Sequence, residues 1–117
     1  MSASFHYPVA WRRLGARCHY AGTLDAEDGR LMLRGREPST GLEVTLGIPE
    51  YAVRSVRTAR SDEEEVVGVR GLVLDLADAI PLLLRPLGVG PLHDDELARV
   101  LATALHRPMP RRDVVVA

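Results

Sequence analysis

The residues of this chain that are best suited to chemistry are its arginines. All 15 residues that carry a full positive charge are Arg, and Lys is absent from the 117-residue chain. A guanidinium group forms paired hydrogen bonds with phosphate and carboxylate, so a cluster of arginines would predict an anion site. The arginines are spread along the whole chain, however, which favours the codon bias of a GC-rich bacterial genome as their explanation. The net charge of −1 gives no overall attraction for nucleic acid, which is not expected as a partner.

Other chemistry-bearing residues lack the spacing of a catalytic, metal or cofactor site. Cys18 is the single cysteine, so no internal disulfide can form. Cys18 and His19 are neighbours in a predicted strand, where their side chains face opposite ways, and we expect a buried structural thiol. The four histidines lack metal-ligand spacing, and the acidic run at 62–65 is typical of a solvated loop. The sequence therefore predicts a non-enzymatic protein with no catalytic residues, no metal and no cofactor.

Short strands must position these residues over most of the chain. From Leu14 to Leu87 the sequence alternates between apolar and polar residues in short runs separated by turns, most regularly over 42–48. Val53 and Val56 are three residues apart, so a bulge is required if both are buried. Near Gly71 the apolar residues change from odd to even positions in the chain, which predicts another bulge or a barrel corner.

One helix is predicted after the strands, over about 94–106. Its apolar residues fall on one stripe at helical spacing: Leu97, Val100, Leu101, Ala104 and Leu105. Either His93 or Asp94 would be the N-cap, and Pro108 would end the helix. Because so short a helix is marginal alone in water, the stripe must be buried on the strands or on a second copy of the chain.

The expected fold is therefore mainly β: a small antiparallel barrel of six to seven strands, capped by one C-terminal helix. Residues 1–13 are predicted to be an N-terminal arm or edge strand, 14–107 the barrel with its capping helix, and 108–117 a flexible tail. The run from Ile80 to Leu84 is predicted to be an edge strand, because Pro81 and Pro86 cannot donate ladder hydrogen bonds.

No segment is expected to cross a membrane. The longest nearly uninterrupted apolar stretch, 79–92, contains Arg85 and three prolines and is too short to span a bilayer. The first 15 residues contain no apolar run of signal-peptide length. We therefore expect a cytoplasmic protein that reaches the inner face of the membrane peripherally, through a partner.

Three stretches together resemble a pleckstrin-homology-like (PH-like) domain, close to its bacterial and GRAM-type members. They are YAGTL at 20–24 with RLML at 30–33, LGIPEYAV at 46–53 with Val56, and VRGLVL at 69–74 with 80–84 and the closing helix. The resemblance covers most of residues 14–106 and consists of hydrophobicity and turns, without signature residues. It implies a bent seven-stranded barrel with a C-terminal helix. It also implies a binding module, for phosphoinositides in some members and for protein partners in many.

The resemblance further implies an anion site, because lipid-binding members carry basic residues at the first hairpin. The counterparts in this chain would be six arginines: Arg12, Arg13, Arg17, Arg30, Arg34 and Arg36. Acidic residues in and beside the same hairpin, at 25–28 and at Glu37, oppose an anionic headgroup. A second small-barrel family, the PilZ domains that bind cyclic di-GMP, has an RxxxR motif that Arg13 and Arg17 fit. Its second, DxSxxG-like motif is only approximated by 37–41.

Binding to a protein partner is the function that the sequence favours. The candidate contacts are one aromatic and three aliphatic residues: Trp11, Ile80, Leu82 and Leu84. Trp11 beside two arginines is typical of a hot spot, although it would equally pack across an end of the barrel. The edge strand, or the β-prone tail at 114–116, would add to the sheet of a partner or of a second copy of the chain, giving a homodimer.

The sequence therefore predicts a non-enzymatic protein-interaction or scaffold module. The alternative is a binder of an anionic ligand, either a phosphoinositide-like headgroup or a cyclic dinucleotide. A third reading is a small-barrel enzyme whose site residues the sequence does not reveal.

Overall fold

A computed structural model of the protein describes residues 6–88 and 91–105, and of residues 91–94 it describes the backbone alone. The strands in this part of the chain are β1 (Tyr7–Arg13), β2 (Tyr20–Glu27), β3 (Arg30–Arg36), β4 (Glu43–Pro49), β5 (Val53–Thr58), β6 (Glu65–Val66), β7 (Val69–Arg70), β8 (Leu72–Leu76) and β9 (Leu82–Pro86). Two short 3₁₀ helices cover Glu50–Ala52 and Asp62–Glu64, and helix α1 covers Pro91–Ala104. The predicted tail at 108–117, with its valines at 114–116, lies outside the described residues.

Seven of these strands form one antiparallel sheet in the order β4-β3-β2-β1-β9-β8-β5. The sheet curls into a half-barrel. Its two edges, β4 and β5, are consecutive in the chain and are joined by the 3₁₀ helix Glu50–Ala52. The prediction of a mainly β fold, with a small antiparallel barrel and one C-terminal helix, is confirmed.

Helix α1 packs on the inner face of the half-barrel. Three of its side chains, Leu97, Ala98 and Leu101, are buried in the same cluster as the inner strand residues, together with Leu105 directly after the helix. Val100 and Ala104 pack partly buried against that cluster, so the predicted apolar stripe is confirmed. The helix begins at Pro91, earlier than predicted, because proline at a first helical position loses no intrahelical hydrogen bond. The prediction of an N-cap at His93 or Asp94 was therefore wrong. No helix among the described residues is long and apolar enough to cross a membrane.

Strand β1 is central in the sheet, so the prediction of an arm or edge strand over 1–13 was wrong for residues 7–13, while residues 1–5 lie outside the described part of the chain. Trp11 pairs with Tyr20 of β2 on one side and with Leu84 of β9 on the other. Tyr7, Val9 and Trp11 of β1 are buried in the cluster of the inner face, and Ala10 is buried on the outer face. The carbonyl oxygen of Pro8, within β1, accepts a hydrogen bond from the backbone N–H of Leu87.

Strand β9 is also interior, and the prediction of an edge strand at 80–84 was wrong. It lies between β1 and β8 and pairs with both. Pro81 precedes the strand and Pro86 is its last residue, so neither proline interrupts the middle of a ladder. Leu82 and Leu84 are buried in the cluster of the inner face, and Leu83 is buried on the outer face in the cluster that contains Val66.

The two predicted irregularities in the alternation of apolar residues, at Val53–Val56 and at Gly71, have different structural causes. Between Val53 and Ser55 the pairing of β5 with β8 shifts register, which confirms a bulge there. At Gly71 the chain instead passes from the two-stranded sheet β6–β7 into the large sheet. A Cβ atom on Gly71 would lie 2.1 Å from the carbonyl oxygen of Leu84, so this crossing point requires glycine. The hairpin β6–β7 packs Val66 onto the outer face of the large sheet.

Candidate functional site

The outer face of β2, β3 and β4 carries three of the six arginines that were predicted to bind an anion, Arg30, Arg34 and Arg36, and the last two are engaged in ion pairs within the chain. Nη1 of Arg34 donates to Oδ2 of Asp25 at 2.9 Å, and Nη2 donates to Oε2 of Glu27 at 3.1 Å. Nη2 of Arg36 donates to Oε1 of Glu43 at 2.8 Å. Arg34 and Arg36 therefore already have carboxylate partners at the position that an anionic ligand would occupy.

Strand register explains these pairs. The tight turn at Asp28-Gly29, with φ of +46° and +74°, pairs Glu27 with Arg30. Arg34 is then opposite Thr23, and the carboxylates of Asp25 and Glu27 lie on the same face further along β2. Arg36 lies directly opposite Glu43 of β4. The hydrogen bond from Arg34 lowers the pKa of the Glu27 carboxyl.

Asp25 is the buried centre of this face. It is 3% exposed, and it contacts the guanidinium of Arg34 and also Nδ1 of His6, whose ring is exposed. A buried carboxylate is stable when its oxygens accept charge-assisted hydrogen bonds, as they do here. Asp25 therefore ties the residue before β1 to β2 and β3.

Arg12 has a structural role on the outer face. Its guanidinium donates to the carbonyl oxygens of Ala16 at 3.1 Å, of Glu63 at 2.8 Å and of Glu65 at 3.0 Å. These bonds hold the acidic segment and the start of β6 against β1, so Arg12 is not available for an anion.

Arg13, Arg17 and Arg30 differ from the other three candidates. All three are exposed, and their side chains form no hydrogen bond or ion pair with any other residue that the structure describes. Arg13 ends β1, Arg17 lies in the loop before β2, and Arg30 begins β3. The six candidate arginines thus divide into three that are engaged and three that are free among the described residues.

The acidic run at 62–65 is not simply a solvated loop. Glu64 is 8% exposed, its carboxylate pairs with both terminal nitrogens of Arg57, and it accepts the backbone N–H of Arg60 at 2.8 Å. The hydrogen bonds from Arg57 outweigh the effect of burial and lower the pKa of Glu64 to about 2.

The prediction that Cys18 is a buried thiol was wrong. Cys18 lies in the loop between β1 and β2 and is exposed.

Three of the four predicted partner contacts belong to the core. Trp11 is 1% exposed, with its ring centroid 5.7 Å from that of Tyr20. Its ring lies over Gly35, where a Cβ atom would approach the indole to 2.7 Å. Leu82 and Leu84 are buried on the inner face, and Ile80 alone is exposed, at 53%. The packing of Trp11 in the barrel, which the sequence left open beside the hot-spot role, is therefore the one observed.

An apolar cleft of about 190 Å³ opens at the corner where the end of β4 faces the turn between β8 and β9. We call it the corner cleft, and it is lined by Arg13, residues 46–49, Ala52, residues 76–77, residues 79–80 and Leu82. Arg13 is the one charged residue of this lining. The backbone N–H of Ala77 donates to the carbonyl of Ala52 at 2.8 Å, which joins two of the lining segments.

Tyr51 marks the outside of the same corner. It lies in the 3₁₀ helix between the two edge strands and is 87% exposed. Sequence reasoning missed it, although an aromatic residue directly after Pro49-Glu50, where the strand pattern breaks, is a signal for an exposed aromatic at a corner. The corner therefore combines an apolar cleft, the guanidinium of Arg13, which has no partner among the described residues, and the exposed side chains of Tyr51 and Ile80.

Comparisons of this chain with protein-family models, with curated proteins and with solved structures find no match, so membership of the PH-like family stays a prediction.

Proposed function

We propose that this chain is a non-enzymatic, PH-like binding module that docks a partner protein at the open corner of its half-barrel. The observation that carries the proposal is exposed Tyr51, in the 3₁₀ helix between the lining residues Pro49 and Ala52, together with the apolar corner cleft beside the β4 edge of the sheet. Tyrosine is enriched at interface hot spots, where its ring supplies a large apolar contact at little cost in entropy. The module would act in the cytoplasm, as a scaffold that reaches the membrane only through its partner.

The partner chemistry that fits this corner is an extended segment with apolar side chains. Strand β4 is paired with β3 on one side, and no described strand pairs with its other side. An extended segment can add to such an edge through backbone hydrogen bonds, while its side chains enter a neighbouring pocket. The corner cleft, lined by residues 46–49 of the same strand, would be that pocket.

Two exposed residues and a matched control test this proposal. The protein and its Tyr51→Ser and Ile80→Ser variants would be used to capture proteins from an extract of the native cells. We expect a partner that the wild-type protein retains and that both variants lose. Leu87→Ser is the control, because Leu87 is another exposed aliphatic residue outside the corner cleft. A partner retained equally by all four proteins would contradict docking at this corner.

A second candidate, binding of an anionic headgroup or nucleotide, is favoured by Arg17 and Arg30, which are exposed and form no side-chain interaction within the described part of the chain. Anionic vesicles test it. Salt-sensitive binding that is lost in Arg17→Ala/Arg30→Ala, with Arg36→Ala as the control, would support the headgroup. Equal binding by all variants, or none by the wild-type protein, would exclude it.

A further inference from the structure

Arg13 differs from the other arginines in its surroundings. Several arginines of the outer face lie beside carboxylates, as Arg34 does beside Glu27 and Arg70 does beside Asp62. Arg13 instead lines the corner cleft, where the other lining residues are apolar, glycine or proline. Its side chain makes no hydrogen bond or ion pair with the described residues. Asp78, in the turn that borders the cleft, is neither part of the lining nor paired with Arg13.

The size and walls of the corner cleft restrict what can enter it. Its volume is about 190 Å³, whereas an apolar cavity of roughly 150 Å³ accepts benzene. The walls are aliphatic, from Leu46 and Ile48 on one side and Leu76 and Ile80 on the other. The cleft therefore suits a short apolar chain or a single ring.

The charge of the ligand follows from the single guanidinium. A carboxylate matches one guanidinium through two parallel hydrogen bonds. A phosphate carries more charge and is usually held by several donors, such as a second cation or a row of backbone N–H groups. The lining contains no second cation. The combination of one cation with an apolar pocket is complementary to an amphipathic monoanion.

We propose that the corner cleft binds a small monocarboxylate with a short apolar chain, whose carboxylate pairs with Arg13 while the chain lies against Leu46, Ile48 and Ile80. This ligand goes beyond the proposed protein partner: it would occupy the cleft in the absence of the partner, whose apolar side chains would compete with it for the same space.

Titrations of the ¹⁵N-labelled protein with hexanoate, at neutral pH, test the proposal. We expect saturable shifts in the amide signals of residues 46–49 and 76–82. Because an exposed ion pair contributes modestly, Arg13→Gln should weaken binding by about fivefold, and 1-hexanol should bind about fivefold more weakly than hexanoate. Inorganic phosphate, which has no apolar chain, should shift none of these signals.

Two further variants complete the test. Arg54→Gln removes an exposed arginine of β5 that is not part of the cleft lining, and this variant should bind hexanoate as the wild-type protein does. Arg13→Lys keeps the charge and should retain more binding than Arg13→Gln. Equal affinity for hexanoate and 1-hexanol, unchanged binding by Arg13→Gln, or shifts confined to other residues would each overturn the proposal. Loss of the partner capture in Tyr51→Ser without any hexanoate binding would refute this ligand and leave the proposed function standing.

Discussion

At the scale of single residues, the charged groups of this protein are used mainly in its own structure. Arg12 bonds to a carbonyl group 51 residues away in the chain, whereas Arg34 and Arg57 bond to carboxylates 9 and 7 residues away, and together they connect strands, loops and the small hairpin. No buried side-chain nitrogen or oxygen in the described part of the chain lacks a hydrogen-bond partner. Buried charges are stable only in such arrangements, because an unpaired one would lose its hydration without compensation.

The Glu64 ion pair predicts a specific dependence of stability on pH. The pKa of Glu64 falls from its ordinary value of 4.5 to about 2 on folding, so the stabilisation is present above pH 4.5 and is lost as the pH falls toward 2. Glu64→Gln should therefore reduce stability at neutral pH by roughly 1–2 kcal/mol, and the difference should shrink below pH 4.5. Urea denaturation over this pH range measures the effect. Glu63→Gln is the control, since the Glu63 side chain is exposed; a similar loss in both variants would contradict the role of the ion pair.

Val67 carries backbone strain that a substitution should relieve. Its φ is +51° at the turn of the β6–β7 hairpin, a conformation that a β-branched residue rarely adopts and that asparagine tolerates. Val67→Asn should stabilise the protein by about 1 kcal/mol and raise the melting temperature. Val69→Asn, on the strand of the same hairpin, has no such strain to release and should not raise it. A lower melting temperature in Val67→Asn would show that the valine makes contacts which outweigh the strain.

At the scale of elements, the sequence predicted what depends on local spacing. The stripe of α1, the alternation of β4 and the bulge after Val53 each follow from periodicity within one element. The position of β1 and β9 could not be predicted in this way, because it depends on pairing between Val9 and Pro86, which are far apart in the chain. The burial of Glu64 likewise depends on Arg57 across a turn. The Arg34 ion pairs were accessible from sequence, since the Asp28-Gly29 turn sets the hairpin register that brings Arg34 to the same face as Asp25.

The contribution of the packing of α1 to stability can be measured at Leu101, in the middle of the buried stripe of the helix. Leu101 is fully buried, and shortening it to alanine removes a large apolar contact and leaves a cavity. Leu101→Ala should reduce the free energy of unfolding by about 2–4 kcal/mol, measured by urea denaturation. Thr103→Ala, at an exposed position of the same helix, should leave stability nearly unchanged. Equal stability of the two variants would mean that the stripe is not core.

At the scale of the whole molecule, the curled sheet has two surfaces that it does not cover itself, its inner face and the corner beside β4. Its inner face needs a cover, which α1 provides, and its β4 edge borders the corner cleft, with no described strand paired to the outside of that edge. The inner face is covered by a helix of the same chain, whereas the corner is open to a partner. This division separates a stable scaffold from the surface that we propose to be functional.

Removal of α1 tests whether the half-barrel can fold without its cover. A chain that ends after Gly88 would expose inner-face residues such as Leu24, Leu74 and Leu84, which are fully buried in the complete protein. Because this apolar surface contributes a large share of the stability of so small a domain, we expect the truncated chain to lose its cooperative thermal transition. Circular dichroism and binding of a hydrophobic dye would measure the loss. A second truncation after Leu105 separates the contribution of the helix from that of residues 106–117. A truncated chain that still melted cooperatively after Gly88 would show that the sheet is a folding unit on its own, and the helix would then be an accessory element that a partner could displace.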